Sequence, residues 1–127
     1  MDKEIIHDNE SLYRLNRKSY PDSWVNGKPT AALFIDPDGL SIQRDGGRKE
    51  KDIVEKCIKR FRKDPLTGIV KVVAGYCRKI KTCPKAINNQ RDKYHAEIHN
   101  SEKDNDKQIT LIKAVMLADN CDIVYHD

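Results

Sequence analysis

The stretch YHAEIH at positions 94–99 sets two imidazoles around a carboxylate at alternate positions: His95, Glu97 and His99. A histidine titrates near neutral pH, and a neighbouring carboxylate can orient its ring or raise its pKa, so the triplet is a candidate for general acid–base work. The same imidazoles join two thiols in a second pattern. Cys77, Cys83, His95 and His99 read C-x5-C-x11-H-x3-H, which supplies zinc's ligand types with two of the three gaps in a zinc-finger range. The first gap is one residue longer than the usual spacing, and fingers present two such histidines from a helix. The plainer alternative is a strand with an ionisable outer face beside half-buried thiols.

Charge is concentrated elsewhere. Between Arg48 and Lys85 there are 13 Lys/Arg against 4 Asp/Glu, a net of +9 that leaves −5 on the rest of a chain whose total is +4. Lys51, Lys56, Lys59, Arg60, Arg62 and Lys63 form its densest part, and Arg78, Lys79 and Lys81 are read as extending the patch. Such a block suits a phosphate backbone or an acidic protein surface. It comes without a helix-turn-helix, an aromatic RNA-binding strand or a glycine loop that would read sequence. A charged helix face of this kind is also what ordinary solvation produces.

These residues need a scaffold, and the chain of 127 residues suits one domain with a real core. Charged residues make up 35% against 38% apolar and 6% aromatic, so the core is lean and the surface dense in charge. No apolar run approaches the roughly 20 residues that span a bilayer. The opening MDKEIIHDNE shows no basic and apolar leader of the secretory kind, so a cytoplasmic location is expected, with Cys57, Cys77, Cys83 and Cys121 read as free thiols or metal ligands rather than disulfides.

The patterning predicts an α+β fold: a small, mostly antiparallel sheet packed by two main helices, with positions 1–11 loose and 12–127 forming a single globular domain. TAALFIDPDGLSIQR reads as a hairpin, 31–35 and 40–43 about an Asp-Pro-Asp-Gly turn. A helix over about 48–63 buries Ile53, Val54, Cys57, Ile58 and Phe61 and turns its lysines and arginines outward. TGIVKVVAGY is a buried strand, followed by a helical turn through CRKIK, and 82–93 is a loop. YHAEIH alternates as a strand, with Tyr94, Ala96 and Ile98 on one face and His95, Glu97 and His99 together on the other. A second helix over QITLIKAVMLADN is capped by Asn105 or Asp106 and packs Ile109, Ile112, Val115 and Met116. CDIVYHD closes the domain as an edge strand, and Trp24 sits as a lid on one end of the core.

Three short segments in order, Leu12-Tyr13-Arg14, Gly39-Leu40-Ser41-Ile42 and His95-Ala96-Glu97-Ile98, resemble a small uncharacterised bacterial family over about a hundred residues, with NGKPTAALF between the first two. That resemblance implies no established activity, and its pattern does not include the cysteines. A more distant likeness is to ADP-ribosyltransferases, where an arginine, a serine-bearing strand and a late glutamate line an NAD cleft. Arg14, Ser41 and Glu97 are similar in order, although the family's serine-threonine-serine and Glu-x-Glu embellishments are missing. The likeness implies that Arg14 would hold phosphate or ribose, Ser41 orient the nicotinamide ribose and Glu97 polarise its hydroxyl.

Two readings of function follow. The first is an accessory binding component of a bacterial multi-protein system, contacting a nucleic acid or an acidic protein through the basic helix face, with no cofactor beyond a possible zinc. The second is a small enzyme acting on a nucleotide-like substrate through Arg14, Ser41, His95 and Glu97.

Overall fold

The computed structural model describes residues 5–87 and 91–127. In chain order the elements are β1 (Ser11–Arg17), a short ribbon of β2 (Trp24–Val25) and β3 (Lys28–Pro29), a 3-10 turn (Ala31–Phe34), β4 (Leu40–Arg44), α1 (Glu50–Arg60), β5 (Leu66–Val73), α2 (Ala74–Lys79), β6 (Cys83–Ala86), β7 (His95–His99), α3 (Leu111–Asn120) and β8 (Asp122–His126). Six strands pair in the order β6-β7-β4-β1-β5-β8, and every pairing among the described residues is antiparallel. The α+β architecture expected from the sequence is therefore present.

The sheet is covered on both faces. β1 and β5, paired along the whole of β1, bury residues on each side because successive side chains of a strand point opposite ways. One face carries Leu12, Val70 and Val72 into a larger core with Leu33, Phe34, Ile42, Ile98, Cys77 and Leu117. The other packs Tyr13, Leu66 and Ile69 against Ile53 and Cys57 of α1. α1 thus lies on one side of the sheet, and α2, α3 and the 3-10 turn lie on the other. Glu50 and Asp52 in the first turn of α1, with Lys59 and Arg60 in its last, complement the helix dipole. No helix among the described residues is long and apolar enough to cross a membrane.

Several local expectations differ from the structure, among them Ile58, which is 38% exposed on α1 rather than part of its buried stripe. The 31–43 hairpin does not form: Ala31–Phe34 is a 3-10 turn, and β4 pairs with β1 and β7 instead. Leu33 and Phe34 are adjacent and enter the same core, which one turn of helix permits and an alternating strand does not. The 82–93 loop contains β6, whose Pro84 is tolerated because β6 is an edge strand, while positions 88–90 lie outside the described residues. α3 turns a different stripe inward, burying Ala114 and Leu117 and leaving Ile112, Val115 and Met116 exposed at 76%, 42% and 38%. Its N-cap is Thr110, whose N–H donates to Asn100 Oδ1 at 3.0 Å, and Asp106 instead accepts from Asn100 and Ser101 in the preceding turn.

The N-terminal segment, of which positions 1–4 lie outside the described residues, contributes to the core. Ile6 is buried with the larger cluster, and Glu10 forms a two-bond ion pair with buried Arg44, at 2.9 and 2.8 Å. Trp24 lies against Gly68 of β5, where an added Cβ would fall 2.5 Å from the indole, so glycine is required for that close approach.

Candidate functional site

The site begins where a ladder stops. β1 pairs with β5 along its whole length, but with β4 only at Leu12–Arg44 and Tyr13–Gln43. Past Tyr13 the two strands are bridged by a side chain. Arg14 Nη1 donates to the Ser41 carbonyl at 3.1 Å and Nε to the Leu33 carbonyl at 2.9 Å, tying β1 to both β4 and the 3-10 turn.

A cavity of about 260 Å³ lies over this gap, walled by Arg14, Leu15, Arg17 and Tyr20 from the β1 side, Ser41, Ile42 and Gln43 from β4, Cys57, Arg60 and Phe61 from the end of α1, and Asp92 and His95. Arg14 is 8% exposed and has no carboxylate ion pair among the described residues. Its guanidinium carbon sits 5.5 Å from the centre of the Tyr20 ring. Burial draws the Arg14 pKa down, and Tyr20 and Asp36 oppose that shift. The rim cations are paired: Arg17 lies over Phe61 at 4.4 Å and meets Asp64 at 3.3 Å, and Arg60 meets Asp92 at 2.9 Å. Asp92 also accepts from Gln43 and from the Tyr94 N–H. Burial would raise the Asp92 pKa, but the Arg60, Gln43 and Tyr94 hydrogen bonds hold it below the usual carboxylate value. Burial pushes the Cys57 thiol up, which makes it a wall rather than a nucleophile.

β7 presents His95, Glu97 and His99 on one face, as the alternation predicts. Glu97 Oε1 is 2.8 Å from His99 Nε2, and Glu97 Oε2 is 3.9 Å from His95 Nε2, so the carboxylate lies between the rings. Gly39, at φ +96°, closes over this group: a Cβ there would lie 2.9 Å from the His99 ring and 3.1 Å from Glu97. Of the sequence-derived catalytic set, Arg14, Ser41 and His95 share the cavity, and Glu97 stands beside it, paired with Ser41 across β4 and β7. Ser41 contributes a carbonyl to Arg14, and its hydroxyl makes no hydrogen bond within the described chain.

The four zinc-ligand candidates do not converge. Cys77 is buried in the larger core on the face of the sheet opposite His95, its thiol pushed up to about 12 by burial. Cys83 and His99 are cross-strand partners, but His95 and His99 are four residues apart on an extended strand, roughly 13 Å, too far to share one ion. Among the described residues no group of three or more His, Cys, Asp or Glu is placed to hold a metal.

The basic patch is also divided. Lys51, Lys56, Lys59, Arg60, Arg62 and Lys63 are exposed on α1 and just after it. Arg78, Lys79 and Lys81 belong to α2 and the turn after it, which pack into the core on the other sheet face, so they do not extend that surface. Arg78 is engaged with Asp8 and the Ile6 carbonyl, holding the N-terminal segment.

Arg17, Tyr20, Gln43 and Asp92 escaped sequence reasoning. Alternation sets Arg17 with Tyr13 and Leu15 on the α1 face of β1 and Arg14 with Leu12 on the other, and both line the cavity because it opens where the β1–β4 ladder stops. That gap has no signature in LYRLNR. Comparison with known proteins finds no matching family model, curated protein or solved structure.

Proposed function

We propose that this protein is a nucleic-acid-binding module whose contact surface is the C-terminal half of α1, the residues after it and the adjoining cavity. The observation that carries this reading is continuity: Lys56, Lys59, Arg60, Arg62 and Lys63 are all exposed, no acid interrupts them from 56 to 63, and Arg60 also walls the cavity that contains Arg14. Ile53 and Cys57 anchor the opposite side of the helix in the core, which turns this run to solvent on a rigid element. Cations gathered along one edge neutralise phosphates and release counterions, giving affinity without base readout. Phe61 and Tyr20 add aromatic surface beside the arginines, the combination that single-stranded nucleic acid uses.

The reading is tested by charge reversal. Lys59→Glu with Arg62→Glu should weaken binding to a labelled single-stranded oligonucleotide by at least about tenfold while leaving the thermal midpoint unchanged. Undiminished affinity in the folded double variant contradicts it, and binding only to acidic proteins would transfer the surface to another partner.

One observation favours a second reading, an enzyme acting on a nucleotide-like substrate: Arg14, Ser41 and His95 meet around one cavity. Here Arg14 would hold the substrate's phosphate, His95 would move a proton, and Glu97, 3.9 Å from His95 Nε2 and hydrogen-bonded to His99, would act on it through its charge. Turnover of nucleotide substrates, NAD included, that is lost in a stably folded His95→Ala variant supports this reading; turnover that His95→Ala leaves unchanged contradicts it.

A further inference from the structure

We infer that the cavity between β1, β4 and the end of α1 is a binding site for a phosphomonoester group, with Arg14 as its floor.

The first ground is the state of Arg14. A buried charge is costly unless it is paired, and the guanidinium, 8% exposed, meets no carboxylate among the described residues. Two carbonyls take one N–H from Nε and one from Nη1, so three of its five N–H groups have no acceptor among the described residues, and Arg14 lines the cavity. Those two carbonyls belong to different elements, the 3-10 turn and β4, so the guanidinium is held in place before any ligand arrives. Preorganised donors of this kind recognise an anion with little reorganisation.

The second ground is the rim. Arg17 and Arg60 approach from β1 and α1: Arg17 pairs with Asp64 at a partly exposed position, and the guanidinium of Arg60 is more than half exposed although its partner Asp92 is largely buried. An exposed guanidinium gains little from its pair and can also meet an incoming anion. The three guanidiniums come from different directions, which suits the tetrahedral oxygens of a phosphate better than a planar carboxylate. A monoester, carrying close to two negative charges at neutral pH, matches a buried arginine without an ion pair among the described residues and two rim arginines better than a backbone diester does. His95 at the wall can donate one further hydrogen bond.

The third ground is space. At about 260 Å³ the cavity admits more than the phosphate itself, and Tyr20 and Phe61 offer apolar surface to whatever the phosphate is attached to. Two sources carry this chemistry, a free mononucleotide and the phosphorylated end of a nucleic acid. The second rests on the function proposed above; the first does not.

The test uses the full chain with inorganic phosphate, a nucleoside 5′-monophosphate and the matching nucleoside as probes, read by calorimetry. The expected result is saturable binding of phosphate and monophosphate, with the nucleoside at least about tenfold weaker. Arg14→Gln should lose that preference. Because Arg14 also ties β1 to β4, Arg17→Gln provides a second variant at the rim, expected to weaken the monophosphate several-fold with the fold intact. Failure of both phosphate and monophosphate to bind the wild-type protein at millimolar concentration overturns the inference, as does undiminished binding by both folded variants. A parallel comparison of oligonucleotides with 5′-phosphate and 5′-hydroxyl ends identifies the source. A preference for the phosphorylated end assigns the site to a nucleic-acid terminus, and equal affinity alongside monophosphate binding assigns it to a free nucleotide. Loss of all oligonucleotide binding with monophosphate binding retained would sink the nucleic-acid reading and leave the phosphate site standing.

Discussion

Arg14 reaches across the end of the β1–β4 ladder to the backbone of Ser41, its Nη1 donating to the Ser41 carbonyl at 3.1 Å. A side chain replaces the next backbone bond between two neighbouring strands, and the space that opens beside it is the cavity. The relationship also redefines the pair. The sequence suggested two side chains acting on one substrate, whereas the structure makes Ser41 a support for Arg14 through its main chain and leaves its hydroxyl exposed.

The register of α3 is directly testable. Leu117 is fully buried and Ile112 is 76% exposed, opposite to what the Ile-Val-Met stripe suggests. Leu117→Ala should cost about 2–5 kcal/mol through lost burial and a cavity, whereas Ile112→Ala should change stability by no more than about 0.5 kcal/mol. Chemical denaturation of the two variants checks this, and equal effects would place the helix in the other register.

The Glu10–Arg44 pair should be indispensable to the fold. Both side chains are 8% exposed and joined by two hydrogen bonds, so Glu10→Ala breaks a buried ion pair and removes two charge-assisted hydrogen bonds. A loss of about 3–5 kcal/mol is expected in urea unfolding. A loss below about 1 kcal/mol would mean that the N-terminal segment is not fastened as described.

Asp92 gives a pH dependence of defined sign. Its pKa is lowered in the folded chain, so its contribution is fully present above the ordinary aspartate value of about 3.8 and is lost as pH falls through the folded value. Asp92→Asn should therefore destabilise the protein at pH 6 and make progressively less difference as pH is taken down toward 2. A penalty that does not shrink on acidification would show that the Arg60 and Gln43 contacts do not depend on the carboxylate's charge.

What the sequence disclosed depended on whether the information was local. The strand at YHAEIH, the amphipathic α1 and the apolar run of β5 were legible because each declares its own period. α3 was not, since Ile109, Ile112, Val115 and Met116 and the set Ala114, Leu117, Ala118 and Cys121 are both acceptable helical stripes. The choice between them is made by tertiary packing, in which α3 meets the 3-10 turn and Ala114 and Leu117 join the core of Leu33 and Phe34. The opposed faces of α1 and α2 could not be read from charge counts, because a run of lysines carries no record of which side of a sheet its helix covers. Arg14 was singled out for its type, but its buried state, which gives it significance, depends on contacts with residues 33 and 41.

The most direct test of the account is the salt dependence of single-stranded oligonucleotide binding, followed by fluorescence anisotropy between about 50 and 200 mM monovalent salt. If the basic run from Lys56 to Lys63 engages three to five phosphates, the logarithm of the association constant should fall with the logarithm of salt at a slope of about −2 to −3.5. The Lys59→Glu, Arg62→Glu variant should give a visibly shallower line. A wild-type slope near zero, or one that the folded double variant reproduces, would contradict the claim that this face binds nucleic acid.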